Sequence, residues 1–145
     1  LLTKAARRMR RDGWNAGRLA LWLELRDGAW QCSHWLPGVH DDQAVLSTLA
    51  TLWDEAHVRL PFHARVLRLG VSLFDLTRAS ERQLDMLLDD DATRRQWESA
   101  IEAIDALNRK YGRTLVSIGP WIPPPGGYAG GKISYTRIPR AEDFW

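Results

Sequence analysis

The sequence predicts an α+β fold: a small antiparallel sheet with two helices on one face, followed by a helical tail with short strands. Three observations predict it. Residues 18–26 alternate strictly between leucine and other residues, as in a half-buried strand. Asp27-Gly28, a dipeptide favoured in tight hairpin turns, follows at once and leads into a second run, residues 29–36. Stretches with helical spacing of apolar residues stand on either side of this pair.

Taken in order, residues 1–11 suit a helix. Leu2, Ala5, Ala6 and Met9 line one side, Lys4, Arg7, Arg8, Arg10 and Arg11 lie mostly on the other, and Gly13 ends it. In the first strand Leu19, Leu21, Leu23 and Leu25 point one way, and Arg18, Ala20, Trp22, Glu24 and Arg26 the other. With Asp27-Gly28 as the turn pair, Arg26 faces Ala29, Glu24 faces Gln31, Trp22 faces Ser33 and Ala20 faces Trp35 on the polar side. Leu25–Trp30, Leu23–Cys32, Leu21–His34 and Leu19–Leu36 then face the core. Pro37-Gly38 breaks the second strand, and Asp41 or Asp42 caps a helix running to about residue 57, with Val45, Leu46, Leu49, Leu52, Trp53 and Ala56 as its stripe. Residues 65–74 form a third strand in which Leu67, Leu69, Val71 and Leu73 face the core.

Two helices can shield only one face of such a sheet. The other face carries Arg18, Trp22, Arg26, Gln31, Ser33, Trp35, Arg68 and Ser72, a surface of arginines and small polar groups suited to a partner. Residues 1–76 therefore form one unit, and residues 77–92 a linker with an apolar insert. Residues 93–145 form a tail unit: a helix to about 111 with Trp97, Ile101, Ile104, Leu107 or Asn108, and Tyr111 on one side, short strands at 115–118 and 132–138, and a Pro/Gly loop between them.

Composition narrows the function classes. The chain has 145 residues, 45% apolar and 26% charged, with a net charge of +2, so it is an ordinary globular sequence whose basic charge is local. No apolar run approaches the ~18 residues that cross a membrane. The single cysteine, Cys32, excludes an internal disulfide and favours a reducing, cytoplasmic setting. Cys32 and His34 are expected on the core face, where a nucleophilic thiol is not expected. His34, His40, His57 and His63 share no metal-ligand spacing. The acidic run Asp89-Asp90-Asp91 reads as helix capping or solvation, not as a metal site. The eight tryptophans follow no single period and are expected mostly in core and edge packing.

Residues 2–10 (Leu-Thr-Lys-Ala-Ala-Arg-Arg-Met-Arg), the hairpin from Leu19 to Leu36-Pro37, and Val66-Leu-Arg-Leu-Gly-Val-Ser-Leu73 carry a resemblance in their order. So do Gln83-Leu-Asp-Met-Leu87, Ala106-Leu-Asn-Arg-Lys-Tyr-Gly-Arg113 and Gly131-Lys-Ile-Ser-Tyr-Thr-Arg-Ile-Pro139. Together they resemble the C-terminal half of Y-family translesion DNA polymerases (DinB/UmuC, ImpB/MucB/SamB-type). The resemblance implies a "little finger" domain, a four-stranded sheet with two helices on one face and its open face in the DNA major groove. The family's first strand is absent, since the chain starts at Leu1 inside the first helix, and this is expected to be a fragment with three strands or one borrowed strand.

The resemblance implies nucleotide addition opposite damaged bases by a core whose palm carboxylates hold two Mg2+ ions. None of those motifs is in this sequence, so no cofactor and no catalysis are expected here. It also implies three partners: duplex primer-template DNA, the catalytic core of the same polypeptide, and the bacterial sliding clamp. DNA contact is expected from Arg18, Trp22, Arg26, Ser33, Trp35, Arg65, Arg68 and Ser72, with cations and hydroxyls reading phosphates. Trp22, Trp35 and Ser72 depart from the family's usual smaller or basic residues. Gln83, Leu84, Asp85, Met86 and Leu87 resemble the clamp-binding pentapeptide, with Met86 and Leu87 in place of leucine and phenylalanine. The competing reading is an inactive accessory protein that uses the same fold for protein contacts.

Overall fold

The computed structural model describes residues 1–81 and 91–119. Its elements run α1 (Leu2–Arg11), β1 (Trp14–Leu25), β2 (Gly28–Val39), α2 (Asp42–Arg59) and β3 (Val66–Arg78). A short 3-10 turn (Ala79–Glu81) and α3 (Asp91–Tyr111) follow. The strands form one antiparallel sheet in the order β2-β1-β3. The fold is thus the predicted small sheet with two helices on one face.

The core lies between the sheet and those helices. Leu19, Leu21 and Leu23 of β1 are almost wholly buried, together with Leu2, Ala6 and Met9 of α1, Leu36 and Val39 of β2, and Val45, Leu52 and Ala56 of α2. Burying a leucine side chain is worth roughly 1.5–3 kcal/mol, so the alternating leucines of β1 anchor the layer. Asp41 caps α2, accepting a hydrogen bond from the Ala44 N–H at 2.8 Å, while Asp42 is the first helical residue.

The register differs from the sequence expectation by two residues. Leu25 pairs with Gly28, so Arg26-Asp27 and not Asp27-Gly28 occupy the turn. Leu23 then faces Trp30, Leu21 faces Cys32 and Leu19 faces His34. Because the side-chain period of a strand is two, a shift of two leaves every residue on its expected face. Pro37-Gly38 does not end β2. The strand runs on to Val39 through an irregularity opposite Gly17, and there Ala16 pairs with Val39. A β-carbon on Gly17 would lie 2.8 Å from the Asp75 carbonyl oxygen, so only glycine admits this close approach of β1 to β3.

β3 is longer than expected and is less covered on its helix side. Leu69 pairs with Leu23 but is 46% exposed, and Leu67 stands 60% exposed at a bulge. The ten residues of α1 span about 15 Å, against about 43 Å for the 13 residues of β3. α1 therefore shields only part of this edge strand.

In the tail, α3 buries Ile101 and Asn108, whereas Trp97, Leu107 and Tyr111 are exposed. Residues 115–118 form no strand. Their backbone is held instead by the buried Asn108 amide, whose Oδ1 accepts from the Leu115 and Val116 N–H groups at 2.7 and 3.1 Å while its Nδ2 donates to the Val116 carbonyl at 2.8 Å. The strand expected at 132–138, the Pro/Gly loop and the pentapeptide at 83–87 lie outside the described residues.

Candidate nucleic-acid interface

The face of the sheet turned away from α1 and α2 is built from four rows that the register sets side by side across β2, β1 and β3. They are Trp35–Arg18–Phe74, Ser33–Ala20–Ser72, Gln31–Trp22–Gly70 and Ala29–Glu24–Arg68. Six of the eight residues expected at this site, namely Arg18, Trp22, Ser33, Trp35, Arg68 and Ser72, thus share one surface. Arg26 sits in the hairpin turn and Arg65 just before β3. The Arg26 N–H donates to the Arg65 carbonyl at 3.0 Å, which brings both exposed residues to one end of the sheet.

The surface is open among the described residues. Arg68 has 75% of its side chain exposed and Trp35 is 65% exposed. The described tail packs on the helical side, through contacts of α3 with α1, α2 and the His40 segment. Arg10 makes the strongest link. Its guanidinium donates to Asp105 Oδ2 and Asp42 Oδ1, each at 2.7 Å, and to the His40 carbonyl at 2.7 Å. Burial alone would lower the Arg10 pKa, but the bonds to Asp105 and Asp42 outweigh it and hold the value up. Arg7 also pairs with Asp105, at 3.4 Å. Two of the basic residues of α1 are therefore turned to the tail, a role that charge counting along the sequence did not reveal.

Arg18 and Arg68 each face a carboxylate, which the sequence expectation did not include. Arg18 pairs with Asp75 at 3.1 Å, and Arg68 with Glu24 at 3.5 Å. Such exposed pairs are worth about 0–1 kcal/mol, so they orient the guanidinium groups without locking them. A phosphate, which takes two parallel N–H bonds from arginine, can displace the carboxylate.

Trp22 lies flat across Gly70. A β-carbon at Gly70 would fall on the indole ring. The glycine leaves the space that lets a large ring rest on the sheet beside Gln31. At the opposite end of β3, the Arg78 guanidinium stacks 4.1 Å over the Trp14 ring. Arg78 and Phe74 were absent from the expected site. Phe74 could have been found by extending the alternation Arg68, Gly70, Ser72 by one step.

A three-stranded antiparallel sheet with helices on one face and an arginine-bearing open face defines the class: a small α+β domain. The family model described as the impB/mucB/samB family C-terminal domain matches residues 1–86, more than half of the chain, and the chain belongs to that family. This places it among the C-terminal domains of Y-family polymerases and in the context of DNA repair. No curated protein and no solved structure matches the chain. No described helix is long and apolar enough to cross a membrane.

Proposed function

We propose that this chain grips the primer-template duplex beside a translesion polymerase core, through phosphate contacts from the open sheet face. One observation carries the reading: on the side of the sheet away from α1 and α2, Arg18 and Arg68 stand exposed beside Ser33 and Ser72. Arg26 and Arg65 extend the basic surface past the hairpin end. Backbone reading suits an enzyme whose template bases are damaged, because phosphate geometry survives a lesion that base edges do not. Trp22 and Trp35 add flat surfaces that pack on sugars or on exposed bases.

The test is duplex affinity. Arg68→Ala should weaken binding to all sequences alike, since a phosphate contact carries no base information. A loss confined to one sequence would contradict backbone reading.

A second reading, an accessory protein that uses this face for protein contacts, is favoured by the 65% exposure of Trp35 and by the two carboxylates beside the arginines. Tryptophan is enriched at protein interfaces, and a neutralised arginine surface contributes less to a polyanion. Duplex binding that does not respond to salt would favour it.

The same proposal includes tethering to the sliding clamp by Gln83, Leu84, Asp85, Met86 and Leu87, on the strength of the pentapeptide itself. Replacing Gln83 and Leu84 by alanine should abolish clamp binding and leave duplex affinity unchanged. Undiminished clamp binding would remove the motif from the account. In this reading the domain holds and positions, and the Mg2+-dependent chemistry belongs to the core.

A further inference from the structure

On the helix side of the sheet, at the outer flank of α2, three different donor groups converge. Cys32 and His34 are two apart on β2 and so project from one face. Glu55 comes from α2, next to the buried Ala56 that seats the helix on the sheet. One Glu55 oxygen accepts from the Cys32 thiol at 3.3 Å, and the other lies 2.5 Å from His34 Nε2. The sulfur, nitrogen and oxygen that could bind an ion all lie within 4.8 Å of one another. His34 and Glu55 keep 36% and 32% of their side chains exposed, so the site opens to solvent on one side.

We propose that Cys32, His34 and Glu55 form a Zn2+ site with water as its fourth ligand. Zinc takes thiolate, imidazole and carboxylate together in tetrahedral sites, at about 2.3 Å to sulfur and about 2.0–2.2 Å to nitrogen and oxygen. Those bond lengths put tetrahedral ligand atoms roughly 3.3–3.6 Å apart. The Cys32–Glu55 pair at 3.3 Å opens by about 0.3 Å and the His34–Glu55 pair by about 1 Å to admit the ion, shifts within reach of a partly exposed carboxylate. Binding releases the thiol proton, and His34 presents the Nε2 lone pair with its remaining proton on Nδ1. The metal thereby replaces two hydrogen bonds that converge on one carboxylate with three coordinate bonds, and it clamps β2 to α2. Arg59, one helical turn beyond Glu55, is the opposing charge. It favours the thiolate and the carboxylate but disfavours the cation. Spacing along the sequence could not reveal this site, because Glu55 arrives from a different element.

The test is titration of the full chain with Co2+, a spectroscopic substitute for zinc. Cys32 is the chain's single cysteine, so a sulfur-to-cobalt charge-transfer band reports this site alone. The expected result is one Co2+ bound with that band and displaced by Zn2+. Cys32→Ser should remove the band. His34→Gln and Glu55→Gln should each weaken binding by at least about tenfold. Absence of the band in a large excess of cobalt would overturn the proposal. So would a band whose affinity is unchanged in His34→Gln and Glu55→Gln, since that is a lone thiolate and not a three-ligand site.

Discussion

Gly70 and Trp22 show how much a single position can decide. The ring occupies the volume that any side chain at position 70 would need. Trp22 is 38% exposed, so it can swing outward when displaced. Gly70→Val should therefore remove the ring from the sheet, and Trp22→Ala should then cost much less than it does beside glycine. The expected coupling in a double-mutant cycle of denaturant melts is about 0.5–3 kcal/mol. Simple additivity would mean that the ring does not depend on this gap. The same scale explains what could be read from the sequence and what could not. Alternation assigned Arg18, Trp22, Ser33, Trp35, Arg68 and Ser72 to one face, because the period of a strand is a local property. The carboxylates of Asp75 and Glu24 beside those arginines follow from pairing between β1 and β3. Such long-range pairing is invisible to a period.

Among the elements, α1 and α3 are joined chiefly through the Arg10 guanidinium, with Arg7 as a longer second contact to Asp105. Arg10 has 6% of its side chain exposed and holds Asp42 and Asp105 together with the His40 carbonyl. Arg10→Met keeps the length, leaves Asp42 without its paired cation and leaves Asp105 only the longer contact with Arg7. It should destabilise the fold by about 3–5 kcal/mol in a denaturant melt, the usual cost of breaking a buried pair from one side. Acid should soften the loss. Burial already holds the Asp42 carboxyl above the usual carboxylate range, against the pull of Arg10. Without Arg10 the folded state binds that proton still more readily than the unfolded chain. Stability of the variant should accordingly rise as pH falls through the raised value. A variant that only loses stability on acidification would contradict this. The helices themselves were legible, since α1, α2 and α3 each begin and end within a few residues of the expected bounds. Their contacts were less so. Arg10 and Asp105 look like solvated charges in a sequence and become buried only because each supplies the other's partner. The turn went astray because Asp27-Gly28 is a favoured pair, whereas the alternation of β1 and β2 is satisfied equally by either of two registers that differ by two residues.

For the molecule as a whole, the account rests on an asymmetry. Among the described residues, α1 and α2 cover one side of the sheet except toward the Leu67–Leu69 end of β3, with α3 packed against those helices, and the other side presents arginines and tryptophans to solvent. Membership of the impB/mucB/samB family gives that asymmetry its DNA-repair setting. The proposed grip is electrostatic, so its signature is counterion release. Each phosphate neutralised should contribute about 0.9 to the slope of log affinity against log salt. The most direct measurement is the salt dependence of duplex binding by the full chain and by Arg68→Ala. The account predicts a steep fall in affinity as salt rises, the same for unrelated sequences, with a slope smaller by about 1 in the variant. Affinity that is indifferent to salt, or a slope unchanged by Arg68→Ala, would contradict it.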